Sequence, residues 1–391
     1  IRDRCKQYRS DNVWTHVMKR PSSDGRPDGA NGDDLGYNWT MRFNRVYLTS
    51  MALQPGVMVT VLLMLALPGC SQGGPGEAFE QYQVRLARTL AVTPAAAQDQ
   101  SPPGLPAPRE MQLQLAAGNI GALDFLALSG CAVQITIGKR NSSLGRLARD
   151  SQSLLLDLEY LQLAPACIDY QRKLGENELA DTLEQAWELK RRQLPAAIYN
   201  ATLGGDEYRE FWKKPAYPDT RYPSNTSSAV IVSLEAVNND VRRWLAGDFT
   251  AANRGFEILL GEVATGDGGA LMQALAAQAG ALDTANRTLQ QRLDKGPLCY
   301  AGIRPAAADI LPNVVGKYFI EGIQPRAAEL NRRYHELLPP LGELEEMLKN
   351  VLPEAYETWR RQRAEDLARW VAAPRQHIEQ LQALQQPCTG Q

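Results

Sequence analysis

Residues 228–245 read SAVIVSLEAVNNDVRRWL. Val230, Leu234, Val237, Val241 and Trp244 recur at steps of four, three, four and three. That is the spacing of one face of an α-helix, because side chains three and four apart stand above one another. Ser228 sits where an N-cap is needed. Working outward, the same period returns on both sides. Downstream it appears at Leu271, Leu275, Leu282, Leu289 and Leu293, closed by Gly296-Pro297. It continues through Leu330, Tyr334, Leu337, Leu341, Leu344 and Leu348, where Pro339-Pro340 predicts a kink or break. Leu352, Tyr356, Trp359, Leu367 and Trp370 follow, with Pro353 at a first helical position, and Ile378, Leu381 and Leu384 end the pattern. Upstream lie Leu154, Leu158 and Leu161, and a short amphipathic segment over 77–92 carrying Phe79, Tyr82, Leu86 and Leu90.

A two-residue alternation occurs at Met111, Leu113 and Leu115, so at most a short strand or an extended arm is expected near 109–115. The fold class expected is therefore all-α: a multi-helix domain in two packed helical halves, 109–213 and 229–391. A loop over 214–228 with three Pro separates them.

The first seventy residues differ in kind. Residues 1–40 are polar and aperiodic, as expected of a disordered or mis-translated leader. Residues 41–69 then read as a signal peptide. Arg42 and Arg45 form a basic start, and residues 57–67 form an uncharged apolar run too short to span a bilayer alone. The run ends in Leu67-Pro68-Gly69-Cys70, which resembles a bacterial lipobox, with Pro68 an unusual occupant. Cys70 is then the lipidated first residue, followed by the tether Ser71-Gln72-Gly73-Gly74-Pro75-Gly76. Several acyl chains at about 0.8 kcal/mol per buried methylene anchor firmly. By resemblance to lipoprotein sorting, Ser71 after the Cys favours the outer membrane. After the helix over 77–92, a Pro-rich linker completes the segment 77–108.

These boundaries change the composition. Forty-two Lys and Arg against 44 Asp and Glu give −2 overall. From Cys70 onward the counts are 33 and 38, a net of −5, so no nucleic-acid partner is expected. Four Cys remain besides the anchor, and four Cys allow three pairings. Cys131–Cys167 and Cys299–Cys388 are favoured, since each lies within one half and closes a long loop in an oxidising compartment. Buried free thiols are the alternative.

Catalytic signatures fail residue by residue. His335-Glu336 lacks a second His at 339, where Pro stands, so no zinc helix forms. Gly316-Lys317 follows no phosphate-loop pattern, and Gly266-Asp267-Gly268-Gly269 reads as a turn. Glu345-Glu346 reads as a solvated helix face, and His335 and His377 as surface residues. No metal and no cofactor are expected. Two polar spots stay open. Asp124 with Arg140, Asn141 and Ser142 is either a ligand or partner site or a capped helix junction. Tyr208, Phe211 and Trp212, near Tyr199-Asn200-Ala201-Thr202, either line a groove or plug the end of a core.

The segments GALDFLALSGC (121–131), RNSSLG (140–145), APAC (164–167) and YNATL (199–203), together with Cys299, resemble an uncharacterised family of proteobacterial lipoproteins, domain-of-unknown-function family 3080. The resemblance covers nearly all of the chain after Cys70. It implies an envelope address, and no catalytic residue to carry over. The expected role is a non-enzymatic, lipid-anchored protein of the bacterial envelope. Its helical domain would face the periplasm and bind an envelope protein partner. The alternatives are an envelope-acting enzyme built on Asp124, Arg140, Asn141 and Ser142, and a small-ligand carrier with a pocket at Tyr208, Phe211 and Trp212.

Overall fold

The computed structural model describes residues 74–116, 122–216 and 221–388. Cys70 and the leader lie outside them. Among the described residues the chain is helical with no β-strand, and these residues form one compact unit.

The elements run α1 Pro75–Leu90, α2 Pro108–Met111, α3 Ala122–Ala127, α4 Val133–Asn141, α5 Ser143–Arg146, α6 Asp150–Leu174 and α7 Asn177–Ala201. They continue with α8 Asp206–Phe211, α9 Ala229–Leu245, α10 Asn253–Ala264, α11 Gly268–Leu293 and α12 Ala306–Val314. The last pair is α13 Gln324–Met347 and α14 Glu354–Gln385. A π-helical turn, Val315–Ile320, extends α12.

The apolar face of α9 is buried at all five positions read from the sequence. Each such side chain contributes about 1.5–3 kcal/mol relative to exposure. Ser228 holds the N-cap position of α9 without a side-chain bond; Ser227 Oγ accepts the Ala229 N–H instead, at 3.1 Å. Pro353 is likewise the N-cap of α14 rather than its first residue.

One expectation is corrected. The Pro339-Pro340 pair does not break its helix: α13 runs unbroken from Gln324 to Met347. Leu337, Pro340, Leu341 and Leu344 are all buried, and that packing outweighs the lost backbone bonds. The helices before and after the 214–228 loop are packed together. One apolar cluster extends from Phe79 to Cys388, across the 214–228 loop. A smaller cluster sits beneath α4, α6 and α7, around Leu128, Val133, Tyr160 and Leu183.

Residues 109–115 form no strand. The helical turn α2 is followed by an extended arm whose Leu113 N–H and C=O both bond the Asn200 side-chain amide, at 3.0 and 2.8 Å. The segment before it is a fixed strap. Thr288 Oγ1 accepts the Ala95 N–H, and Arg287 donates to the Ala96 carbonyl at 2.8 Å. Trp370 bonds the Gln100 side chain, Trp359 donates to the Pro103 carbonyl at 3.3 Å, and Arg209 donates to the Pro106 carbonyl at 3.1 Å. Proline lacks an N–H, so such a segment cannot build its own ladder and offers its carbonyls to side-chain donors. The strap crosses α11 at Gly280, where a Cβ would lie 2.6 Å from the Gln98 carbonyl.

Candidate ligand trough

The structure pairs Cys131 with Cys167 and Cys299 with Cys388, separated by 36 and 89 residues in sequence. The first bond ties the turn before α4 to α6. The second fastens the segment before α12 to the end of the chain.

The polar spot near Arg140 is a helix junction at Ser142. Ser142 Oγ accepts the Gly145 N–H at 3.0 Å and donates to the Lys139 carbonyl, capping α5. Asn141 is exposed at the end of α4. Arg140 turns the other way and donates to Ser153 Oγ. It lines a small cleft of about 230 Å³ with Asp150, Asp157 and Asn200, but without Asn141 or Ser142. The Asp124 side chain lies outside the described residues.

The aromatic spot is core. Tyr208, Phe211 and Trp212 are at most 6% exposed, so no carrier pocket opens there, contrary to that alternative. The Phe211 ring fills a seat that Gly266 and Gly268 leave open; a Cβ on Gly268 would come within 2.2 Å of it. Next to it, Arg363 is sandwiched between Trp212 and Trp359, its guanidinium carbon 4.8 and 4.7 Å from the ring centroids. Arg363 donates to Glu345 at 2.9 Å, and Tyr356 donates to the other oxygen of the same carboxylate at 2.7 Å. Glu345 is thus buried and paired, not solvated. His377 is also buried, contrary to its surface assignment. Its ring lies 2.6 Å from both Tyr82 Oη, on Nε2, and Asn286 Oδ1, on Nδ1. The amide oxygen can only accept, so Nδ1 carries the proton and Nε2 accepts from the Tyr82 hydroxyl. Burial pushes the His377 pKa down to about 3, keeping it neutral.

The open site lies elsewhere. A trough of about 1120 Å³ runs along α11, walled by α1 on one side and the strap on the other. Its floor is Ala270, Ala274, Ala277 and Ala281, at steps of four, three and four. Small side chains on that face leave the space that Leu271, Leu275 and Leu282 fill on the face turned into the core. Lys214, Tyr222 and Arg326 line the trough as well, together with residues of the Gly74–Gln83 stretch. Arg326 donates to the Tyr222 carbonyl at 3.1 Å, and burial lowers its pKa. Gln273 and Gln278 also line the trough; Gln273 Oε1 is buried without a hydrogen-bond partner. The sequence carries the signal as an alanine stripe opposite the leucine stripe, which is easily taken for ordinary helix-forming composition.

Beneath the trough mouth, Asp267 accepts from Tyr222 Oη at 2.7 Å and from Arg333, which also donates to the Ser227 carbonyl at 3.1 Å. This network fastens the 222–228 segment onto α13. No group of three or more His, Cys, Asp or Glu among the described residues is placed to hold a metal ion.

Residues 79–390 match the family described as protein of unknown function, DUF3080. The chain belongs to the DUF3080 family. The match begins within α1 and runs past the second disulfide, so the strap, both bridges and all of the trough lining except Gly74, Pro75, Gly76 and Glu77 lie within the DUF3080 region. No curated protein and no solved structure matches this DUF3080 chain. None of its described helices is long and apolar enough to cross a membrane.

Proposed function

We propose that this DUF3080 protein is a lipid-anchored ligand-binding protein of the bacterial envelope. Cys70 carries the acyl chains, most consistent with the outer membrane, and the helical domain faces the periplasm. The lipobox residues Leu67-Pro68-Gly69-Cys70 and the uncharged run before them support the anchor. Two disulfides suit an oxidising compartment.

The observation that carries the binding role is the trough. A trough of about 1120 Å³ floored by small apolar side chains, with Lys214, Tyr222 and Arg326 among its lining, has the size and mixed character of a small-ligand site. Gly74, on the trough lining, follows Cys70 by four residues in the sequence.

Native mass spectrometry on protein gently extracted from envelopes tests the reading. A discrete ligand adduct is expected on the wild type and not on Ala274→Trp, which fills the trough. No adduct on either, in a correctly folded protein, would contradict it.

A further inference from the structure

We propose that the turn around α5 is a contact for a phospholipid surface, with Leu144 and Leu147 entering the acyl region and Arg146 meeting lipid phosphate. It lies apart from the trough and does not depend on an anchor at Cys70.

Leu144 and Leu147 are each 84% exposed, more than any other large apolar side chain among the described residues. Apolar side chains exposed singly are ordinary on a protein surface. These two form a pair. They stand three positions apart on one helical turn, where the Leu147 N–H donates to the Leu144 carbonyl at 3.2 Å, so they are neighbours on its surface.

The turn is held in place. Ser142 Oγ accepts the Gly145 N–H at 3.0 Å and donates to the Lys139 carbonyl at 2.7 Å. Gly145 is buried against the end of α4: a Cβ there would lie 2.0 Å from the Lys139 carbonyl oxygen and 2.6 Å from that of Arg140. Only glycine lets the backbone come this close. The residue between the leucines that faces the protein is thus Gly145, while Leu144, Arg146 and Leu147 face solvent. Side chains presented on a fixed turn lose less freedom on contact than those of a loose loop.

Charge and composition point to lipid. Residues 139–149 hold Lys139, Arg140, Arg146 and Arg149 and no Asp or Glu. Lys139 and Arg149 pair with Glu159 and Glu207, and in each pair the cation is the more exposed member. Arg140 lines the small cleft. The Arg146 side chain, between the two leucines in sequence, has no hydrogen bond or ion pair among the described residues. A guanidinium matches phosphate oxygens with several N–H donors. The outer face of α4 repeats the composition, with Ile135 66% exposed and Lys139 one turn on. Aliphatic side chains beside cations are the make-up of an interfacial lipid contact. A stable protein interface takes about 20–30 residues a side and centres on aromatic or arginine anchors set in pockets. A turn ending in two leucines and an arginine suits a surface that closes around it.

The experiment uses the full chain. It is incubated with phosphatidylethanolamine–phosphatidylglycerol vesicles containing a phosphatidylcholine whose acyl chain bears a diazirine, and irradiated. Adducts are mapped by mass spectrometry, so the readout is local to the turn. The wild type should carry acyl adducts within residues 141–149. Leu144→Ser with Leu147→Ser should reduce them roughly tenfold or more, because burying a leucine is strongly favourable and burying a serine is not. Leu144→Met with Leu147→Met should keep them, and Arg146→Glu should lower them. Thermal midpoints check that each variant is folded. No adduct within 141–149 on the wild type overturns the proposal, as do equal adducts on the serine variant. Absence of adducts together with a defined cross-link in cells, from a photo-reactive residue in place of Leu144 to one protein, overturns it in favour of a protein partner.

Discussion

His377 and Glu345 are two buried polar residues that the sequence places among solvated ones. A His whose pKa is lowered in the folded state binds fewer protons than in the unfolded chain. Stability from neutral His377 is therefore complete above its unfolded value of about 6.5 and falls as pH drops toward about 3. Urea unfolding between pH 7.5 and 4 should show this loss, on the order of a few kcal/mol. His377→Gln should be less stable at pH 7.5 and show a shallower slope below pH 6.5. Arg363 poses the converse case. Removing it strands the Glu345 carboxylate inside the core, at a cost of about 3–5 kcal/mol. Arg363→Met should lose that much in chemical denaturation, and adding Glu345→Leu should recover part of it. Additive losses would contradict the pairing. Neither residue was legible beforehand, because a histidine or glutamate on a helix reads alike whether water or a neighbouring helix covers it. The apolar face of α9 was legible, because its spacing alone fixes which side must be buried.

At the scale of elements, the strap decides whether the trough exists. It is held by side-chain donors from α8, α11 and α14, and it needs the bare backbone of Gly280. Gly280→Val should push the strap off α11 and weaken ligand retention while leaving most helices formed. Limited proteolysis should then cut within 94–106 faster than in the wild type; unchanged cutting would contradict the strap's attachment. Composition reads this stretch as a linker, since its bonds go to residues far away in sequence. The disulfides act between elements too. Closing loops of 36 and 89 residues stabilises by roughly 3–5 kcal/mol each in the chain-entropy picture. Cys299→Ser with Cys388→Ser should lower the thermal midpoint measurably, and mass spectrometry of the non-reduced wild type should find no free thiol at the four positions. The prolines of α13 teach a related lesson: local propensity argued for a break, and burial on both sides of the pair overrode it.

For the whole molecule, an all-α domain was readable from helical stripes along the chain, and the described residues form helices and no strand. How the helices share their core was not, because apolar stripes show which faces are buried but not against which partners. The trough was hidden for a similar reason, since alanine marks a cavity only once the neighbouring elements are in place. What joins these parts into one account is the anchor proposed at Cys70. It would set the compartment, and with it the setting for both disulfides and for any ligand reaching the trough. The most direct measurement is labelled-palmitate incorporation with membrane fractionation, comparing wild type and Cys70→Ser in a bacterial host. The account predicts label and membrane association for the wild type, and an unlabelled Cys70→Ser protein released to the soluble periplasmic fraction if its signal is still processed, or retained unprocessed if not. An unlabelled wild type, or continued palmitate labelling of Cys70→Ser, would contradict it.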